Sequence, residues 1–209
     1  MLVFLRAPEL GRVKTRLAAS IGPHAALRIY QRLAEHTITE ARGLAAEGVE
    51  VRVHHTPADA RLAMKEWLGD GLTLLPQAEG DLGARMRDAF GRAFADGCAQ
   101  VVIIGSDLPE MSGALLRRAF AALDGADAVI GPARDGGYYL LGLTHPVAGV
   151  FDGVAWSTAE VFDATMRRLR AAGFEPVVLE TLRDVDEAQD LPPGWLPEAA
   201  TDAPADNVR

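Results

Sequence analysis

Ile104-Gly105-Ser106-Asp107-Leu108-Pro109 places a carboxylate and a proline directly after the apolar run Val101 to Ile104. A buried strand that stops there delivers Asp107 to the edge of a sheet. In open α/β sheets that edge binds ligands, and an aspartate held by a turn suits a divalent metal on a phosphorylated substrate. Alone, the motif is no more than an Asx-type turn; other charged motifs give it significance. In Leu182-Arg183-Asp184-Val185-Asp186 two carboxylates stand two residues apart. An extended chain puts Asp184 and Asp186 on one face and Val185 on the other. Asp107 and one of this pair are candidates to bracket a Mg²⁺ ion, which takes few protein carboxylates and keeps positions for phosphate oxygens.

The cations are distributed unusually. Of 21 basic residues only Lys14 and Lys65 are lysine, so a lysine in Gly11-Arg12-Val13-Lys14-Thr15-Arg16 suggests a need for a compact point charge. Lys14 and Arg16, with Gly11 allowing close backbone approach, suit a phosphate cradle, and Arg6 at the end of the first strand can assist. A P-loop is excluded: it needs glycines where this chain has Val13 and Pro8.

Two glycine clusters follow. In Gln77-Ala78-Glu79-Gly80-Asp81-Leu82-Gly83-Ala84-Arg85, Asp81 can cap a helix while Gly80 and Gly83 let the chain pass close to a flat ligand such as a nucleobase; Gln77 and Arg85 are further candidates on that side. Asp135-Gly136-Gly137-Tyr138-Tyr139 reads as a tight hairpin turn feeding a strand. Its two tyrosines point to opposite faces, so one is expected over the sheet edge, facing a ligand ring. Asp135 is the candidate to assist an acceptor. Ser157, in Trp156-Ser157-Thr158-Ala159-Glu160, reads as a helix cap with Glu160 near N3. His54 and His55 are adjacent in a strand, so they diverge and cannot chelate one metal together.

The elements that must position these residues alternate along the chain. Strands are expected at Met1–Leu5, Val49–His54, Leu72–Leu75, Val101–Ile104, Ala128–Ile130, Tyr138–Leu143 and Pro176–Leu179. Helices fit after Pro23 up to Gly48, and at Ala60–Leu68, Ala84–Phe94, Ala114–Leu123 and Ala159–Ala172. This rhythm predicts a mainly parallel sheet covered on both faces, with an antiparallel pair at Ala128–Ile130 and Tyr138–Leu143, which no helix separates. At 209 residues and 49% hydrophobic the chain suits one core, so a single domain over residues 1–191 and a Pro/Ala/Asp-rich tail from 192 to 209 are expected. A net charge of −8 argues against a nucleic-acid partner. The single cysteine, Cys98, and the lack of a bilayer-length apolar run predict a cytoplasmic protein without a membrane partner.

The ordered set Lys14-Thr15-Arg16-Leu17, Asp81-Leu82-Gly83-x-Arg85-Met86, Gly105-Ser106-Asp107-x-Pro109, Gly131-Pro132-x-x-Asp135-Gly136-Gly137-Tyr138-Tyr139-Leu140-x-Gly142, Trp156-Ser157-Thr158 and Asp184-Val185-Asp186 resembles the bacterial glycosyltransferase-A-type "transferase 1" family. That family is also labelled nucleotide-diphospho-sugar transferase or arsenosugar-biosynthesis glycosyltransferase. It is similar to the phospholactate guanylyltransferases and molybdopterin-cofactor nucleotidyltransferases. The resemblance runs from Met1 to about Leu191 and is most specific around Asp135. It implies a three-layer α/β/α, Rossmann-like nucleotide-binding fold, with Mg²⁺ (or Mn²⁺) held by Asp107 and, as in the nucleotidyltransferase relatives, by Asp186.

Two reactions fit these residues: nucleotidyl transfer from a nucleoside triphosphate to a small phosphorylated or acidic acceptor, and glycosyl transfer from an NDP-sugar. A departing pyrophosphate calls for several cations beyond the metal, so Lys14, Arg16 and Arg6 favour the triphosphate. The expected division puts Gly11 to Arg16 and Gln77 to Arg85 on the nucleotide side. Asp135, Gly136, Gly137, Tyr139, Trp156, Ser157 and Thr158 fall on the acceptor side. A non-catalytic nucleotide-binding subunit is the third reading, and the full set of carboxylates and cations counts against it.

Overall fold

The computed structural model describes residues 1–195. Seven strands form one sheet: β1 (Leu2–Arg6), β2 (Arg52–Thr56), β3 (Thr73–Pro76), β4 (Val101–Ile104), β5 (Ala128–Pro132), β6 (Tyr138–Leu143) and β7 (Val177–Val178), in the order β3-β2-β1-β4-β6-β5-β7. β1 pairs in parallel with β2 and β4, β2 with β3, and β5 with β7. Only β6 runs the other way, antiparallel to both β4 and β5. The expected antiparallel pair is therefore present, with its second strand inserted between β4 and β5.

Strand pleating divides the core between two helix layers. Val3, Leu5, Val53, Val102, Ile104 and Leu140 pack with α2 (Pro23–Arg42), α3 (Arg61–Leu68) and α5 (Gly113–Leu123). Leu2, Val101, Ile103, Ile130 and Leu141 pack with α4 (Leu82–Ala95) and α6 (Val161–Ala171) on the other face. β4 is buried along its whole length, as a central strand covered on both faces must be. Local chemistry starts the helices. Pro23 opens α2, the Asp81 carboxylate accepts from the Ala84 amide at 2.8 Å to cap α4, and the Ser112 hydroxyl accepts from Leu115 to cap α5.

Several expectations change. Thr15–Ile21 is a helix of its own, α1, which buries Leu17 against Ala26, Ile29 and Leu33 of α2 and against Val185. Ser157 does not cap α6: it has φ 65°, and the position before the helix is Glu160. β7 is short, and Asp184 and Asp186 lie beyond it in a segment without regular secondary structure. The expected tail from residue 192 falls largely outside the described residues, though Trp195 packs beside α1 and α2 with the Arg32 guanidinium 3.8 Å from its ring centre. Among the described residues no helix is long and apolar enough to cross a membrane.

From β1 the chain builds outward to β2 and β3, then returns to place β4 on the other side of β1. The loops leaving β1 and β4 therefore part from each other, and such a switch point opens a crevice at the carboxyl edge of the sheet.

Candidate active site at the carboxyl edge of the sheet

The loop after β1 ends at Lys14, which takes φ 47° immediately before α1. Lys14 and Ser157 are the only non-glycine residues with positive φ among the described residues. For a side chain with a Cβ this conformation is costly, and such residues concentrate at functional sites. Only 4% of the Lys14 side chain is exposed, and its Nζ forms an ion pair with Asp107 Oδ1 at 2.8 Å and donates to Asp186 Oδ1 at 3.5 Å. Arg16 holds the other Asp186 oxygen at 2.6 Å. The backbone fastens the same groups together, because the Val185 amide donates to the Asp107 carbonyl at 2.9 Å. Four sequence-predicted residues, Lys14, Arg16, Asp107 and Asp186, thus meet at one point.

A cavity of about 290 Å³ opens there, lined by Arg6, Arg12, Val13, Lys14, Thr15, Arg16, Tyr30, Asp107 and Asp186. Four cations face two carboxylates, the imbalance that a polyanionic ligand needs. Sequence reasoning missed Tyr30, because its spacing within α2 marks it as one more core position. The Tyr30 hydroxyl donates to the Arg6 carbonyl at 2.6 Å and accepts from the Arg6 amide at 2.8 Å, fixing the end of β1. Burial pushes its phenol pKa up, so it acts as a neutral hydrogen-bonding group. Arg12 was passed over for the same reason as any loop arginine: nothing in its neighbours marks it.

Beside this cavity the carboxylates of Asp135, Asp184 and Asp186 bring oxygens within 4.8 Å of one another, a spacing that could hold a metal ion. Asp184 is pushed up to about 6, first by burial and then by the charges of Asp135, Asp186 and Asp107. Like charges gathered at that cost are those a divalent cation would relieve. The alternation expected for this segment is present: Val185 is fully buried, while Asp184 and Asp186 face the site together.

The hairpin and the loop before α6 are fastened to each other. Asp135 accepts from the Gly137 amide at 2.8 Å, and the Gly136 carbonyl accepts from the Phe162 amide at 2.8 Å. A Cβ on Gly136, whose φ is 89°, would come within 2.1 Å of the Ala159 carbonyl oxygen. Thr158 turns its hydroxyl to the Ala155 carbonyl at 2.8 Å. Trp156 lies across the start of α4: a Cβ on Gly83 would meet its ring at 2.7 Å. The flat group that Gly83 admits is therefore this protein's own indole, which corrects the expected nucleobase approach at that glycine. The two expected sides of the cleft touch at this contact.

Tyr139 does not face the cleft. It is 4% exposed, packed over Gly131, and its hydroxyl donates to the Glu180 carbonyl at 3.1 Å; the pleat turns it inward to the α2/α3/α5 layer. Tyr138 takes the opposite face, with its hydroxyl against the Met86 sulfur. Gln77 also has a structural task, donating to the carbonyls of His54 at 2.9 Å and Leu5 at 3.3 Å and accepting from Arg85 at 3.3 Å. Arg85 is fixed further by the Gly80 carbonyl at 3.1 Å. Gly11, with φ 73° and open space around it, stays free for close approach. His54 and His55 diverge as expected, one stacking on Phe4 and the other bonding the Pro57 carbonyl.

A three-layer α/β/α sheet with this charge cluster at its switch point is the fold of the nucleotide-diphospho-sugar transferases and nucleotidyltransferases. A solved protein from Desulfovibrio desulfuricans G20, provisionally described as a nucleotide-diphospho-sugar transferase, is 38% identical, with a TM-score of 0.80 over 89% of this chain and 81% of that one. The chain belongs to the family described as "Uncharacterized protein conserved in bacteria" (DUF2064), whose model matches residues 39–158. That span includes Asp107 and Asp135 and leaves out Lys14, Arg16, Asp184 and Asp186. A phosphoenolpyruvate guanylyltransferase from Chloroflexus aggregans is 28% identical over 162 residues, 76% of this chain and 79% of that protein. A Mycobacterium tuberculosis H37Rv protein solved as a complex with manganese shares the fold, at 18% identity and a TM-score of 0.51 over 90% of this chain and 94% of that one.

Proposed function

We propose that this enzyme, a nucleotide-dependent transferase, moves a nucleotidyl group from a nucleoside triphosphate to a small phosphorylated or acidic acceptor and releases pyrophosphate. The observation that carries the reading is the cavity at the carboxyl edge, where Arg6, Arg12, Lys14 and Arg16 outnumber Asp107 and Asp186. Transfer from a triphosphate leaves a pyrophosphate whose charge grows in the transition state, and preformed cations stabilise that charge without reorganising. Lys14 and Arg16 bind the outer phosphates; Arg6 and Arg12 face them from the β1 loop.

Asp107 and Asp186 are the metal ligands of this reading; Asp186 already shares metal-binding reach with Asp135 and Asp184, and Lys14 bridges it to Asp107. A Mg²⁺ or Mn²⁺ ion bound there supplies Lewis-acid charge on the phosphates of the donor. The manganese of the Mycobacterium tuberculosis protein supports this. An acceptor that carries a phosphate or carboxylate is already ionised near neutral pH, so its oxygen attacks phosphorus without a general base. Gly136, Gly137 and Trp156 to Thr158 then serve to place the acceptor, while the Asp135 carboxylate can approach that anion only through the shared cation. The Chloroflexus relative's name, with guanylyl as the group moved and phosphoenolpyruvate as its acceptor, supports this acceptor class.

Glycosyl transfer from an NDP-sugar is the second reading, favoured by the description of the Desulfovibrio structure. Incubation with each nucleoside triphosphate, Mg²⁺ or Mn²⁺, and a panel of phosphorylated and carboxylated acceptors should release pyrophosphate. Sugar transfer from an NDP-sugar, with no pyrophosphate from any triphosphate, would overturn nucleotidyl transfer in favour of the second reading.

A further inference from the structure

We infer that Lys14 is a resident counter-cation of the Asp107–Asp186 pair, exchanged onto the donor phosphates when nucleotide and metal enter together. The inference rests on the metal assignment made above and adds an order of events to it. Lys14 Nζ lies 2.8 Å from Asp107 Oδ1 and 3.5 Å from Asp186 Oδ1, on a side chain only 4% exposed. An ammonium so far from water cannot be left unpaired without a large penalty. To free both carboxylates for a metal, Lys14 must find another anion. Within the cavity the remaining charged groups are the cations Arg6, Arg12 and Arg16, and the neighbouring Asp135 and Asp184 belong to the carboxylate group that the metal itself would draw on. A nucleoside triphosphate supplies the missing anion, and it arrives where the ammonium must go.

Metal and triphosphate are therefore coupled: each makes room for the other, and by linkage the coupling is reciprocal. Metal alone competes with Lys14 and binds weakly. Arg16 keeps Asp186 in place during the exchange, since it holds the other carboxylate oxygen at 2.6 Å. The φ of 47° at Lys14 directs the side chain from the β1 loop into the acidic pair.

The test is a Mn²⁺ titration of the intact protein without nucleotide, followed by electron paramagnetic resonance of the free ion. Lys14→Met keeps the length of the buried stem and removes the charge. It should bind Mn²⁺ tighter on the order of tenfold, within the usual range of coupling between two sites. Adding Asp107→Asn to Lys14→Met should abolish the gain and so locate the ion. Lys14→Gln serves as a second uncharged variant if circular dichroism shows that Lys14→Met is unfolded. Equal or weaker Mn²⁺ binding in a folded uncharged variant would overturn the exchange. This titration involves no turnover, so a gain in Mn²⁺ affinity in Lys14→Met combined with no pyrophosphate release by the unaltered protein would retain Lys14 as the counter-cation and reject nucleotidyl transfer.

Discussion

Cavities open at both ends of the sheet, and the larger one is not the one with charge for transfer chemistry. At the amino edge about 580 Å³ is enclosed by Leu2, Leu44, Val49, Val101 and Phe120, among others. The cations there are already matched, Arg52 with Glu50 and Asp96, and Arg117 with Glu47. At the carboxyl edge about 290 Å³ is lined by four cations and two carboxylates: Lys14 and Arg16 share Asp107 and Asp186, exposed Arg12 meets Glu9 outside the cavity, and Arg6 has no carboxylate partner among the described ion pairs. Volume says where a molecule fits, whereas the charges of the lining say which kind of molecule suits it. The contrast follows from strand direction. Each parallel strand releases its following loop at the carboxyl edge, so residues far apart in the chain converge there.

The comparison breaks most readily through the acidic pair. Asp107→Asn should lower kcat by about 10²–10³-fold, the loss typical when stabilisation of transition-state charge is removed, here through the cation that Asp107 would hold, and pyrophosphate release will measure it. Arg117→Ala at the amino edge should leave that rate unchanged. An equal loss in both variants would mean that the amino-edge cavity contributes to catalysis.

A second expectation concerns the scaffold of the carboxyl edge. Gly136→Ala drives a Cβ to within 2.1 Å of the Ala159 carbonyl oxygen at a φ of 89° and should destabilise the fold by about 2–4 kcal/mol. Urea denaturation will show whether the hairpin and the loop before α6 separate. Unchanged stability would mean that the two segments are not packed as one support.

Acid should act on the sheet between the two edges. His54 is 1% exposed, and burial, followed by the charge of Arg92, lowers its pKa to about 4. The unfolded chain holds the imidazole proton more tightly, so the contribution of neutral His54 is fully present above about pH 6.5. It is lost as pH falls through 6.5 toward 4, by roughly 2–3 kcal/mol. His54→Phe, which retains the stacking on Phe4, should flatten the stability profile in that window. A profile of unchanged slope would assign the acid sensitivity to other groups.

The smallest effect should come from Arg12, whose side chain is 75% exposed and paired with Glu9. Solvent screens such a charge, so Arg12→Ala should raise the KM for the triphosphate only about two- to fivefold and leave kcat intact. A loss as large as that of Asp107→Asn would place Arg12 on the reacting phosphates.

The sequence by itself determined the alternation of strands and helices and the antiparallel relation of β5 and β6, because a short apolar run such as Val101 to Ile104 suits a strand covered on both faces and no helix separates the other two; the insertion of β6 between β4 and β5 was decided by the tertiary structure. It also determined that Asp107 and the Asp-Gly-Gly hairpin leave strands at one edge, and that Lys14 is singular among arginines. What lay 172 residues apart was not legible: that Lys14 and Asp186 meet depends on the docking of the late segment through Val185. Likewise the pleat register of β6 decided that Tyr139 points inward, since a shift of one residue would reverse every side chain. Only packing between the loop before α6 and the start of α4 could assign Gly83 to the Trp156 ring. Local pattern determines which residues can do chemistry, because strand period and turn propensity act over a few neighbours. Which carboxylates share a cation, and which ring faces the cleft, are decided when distant segments are packed together.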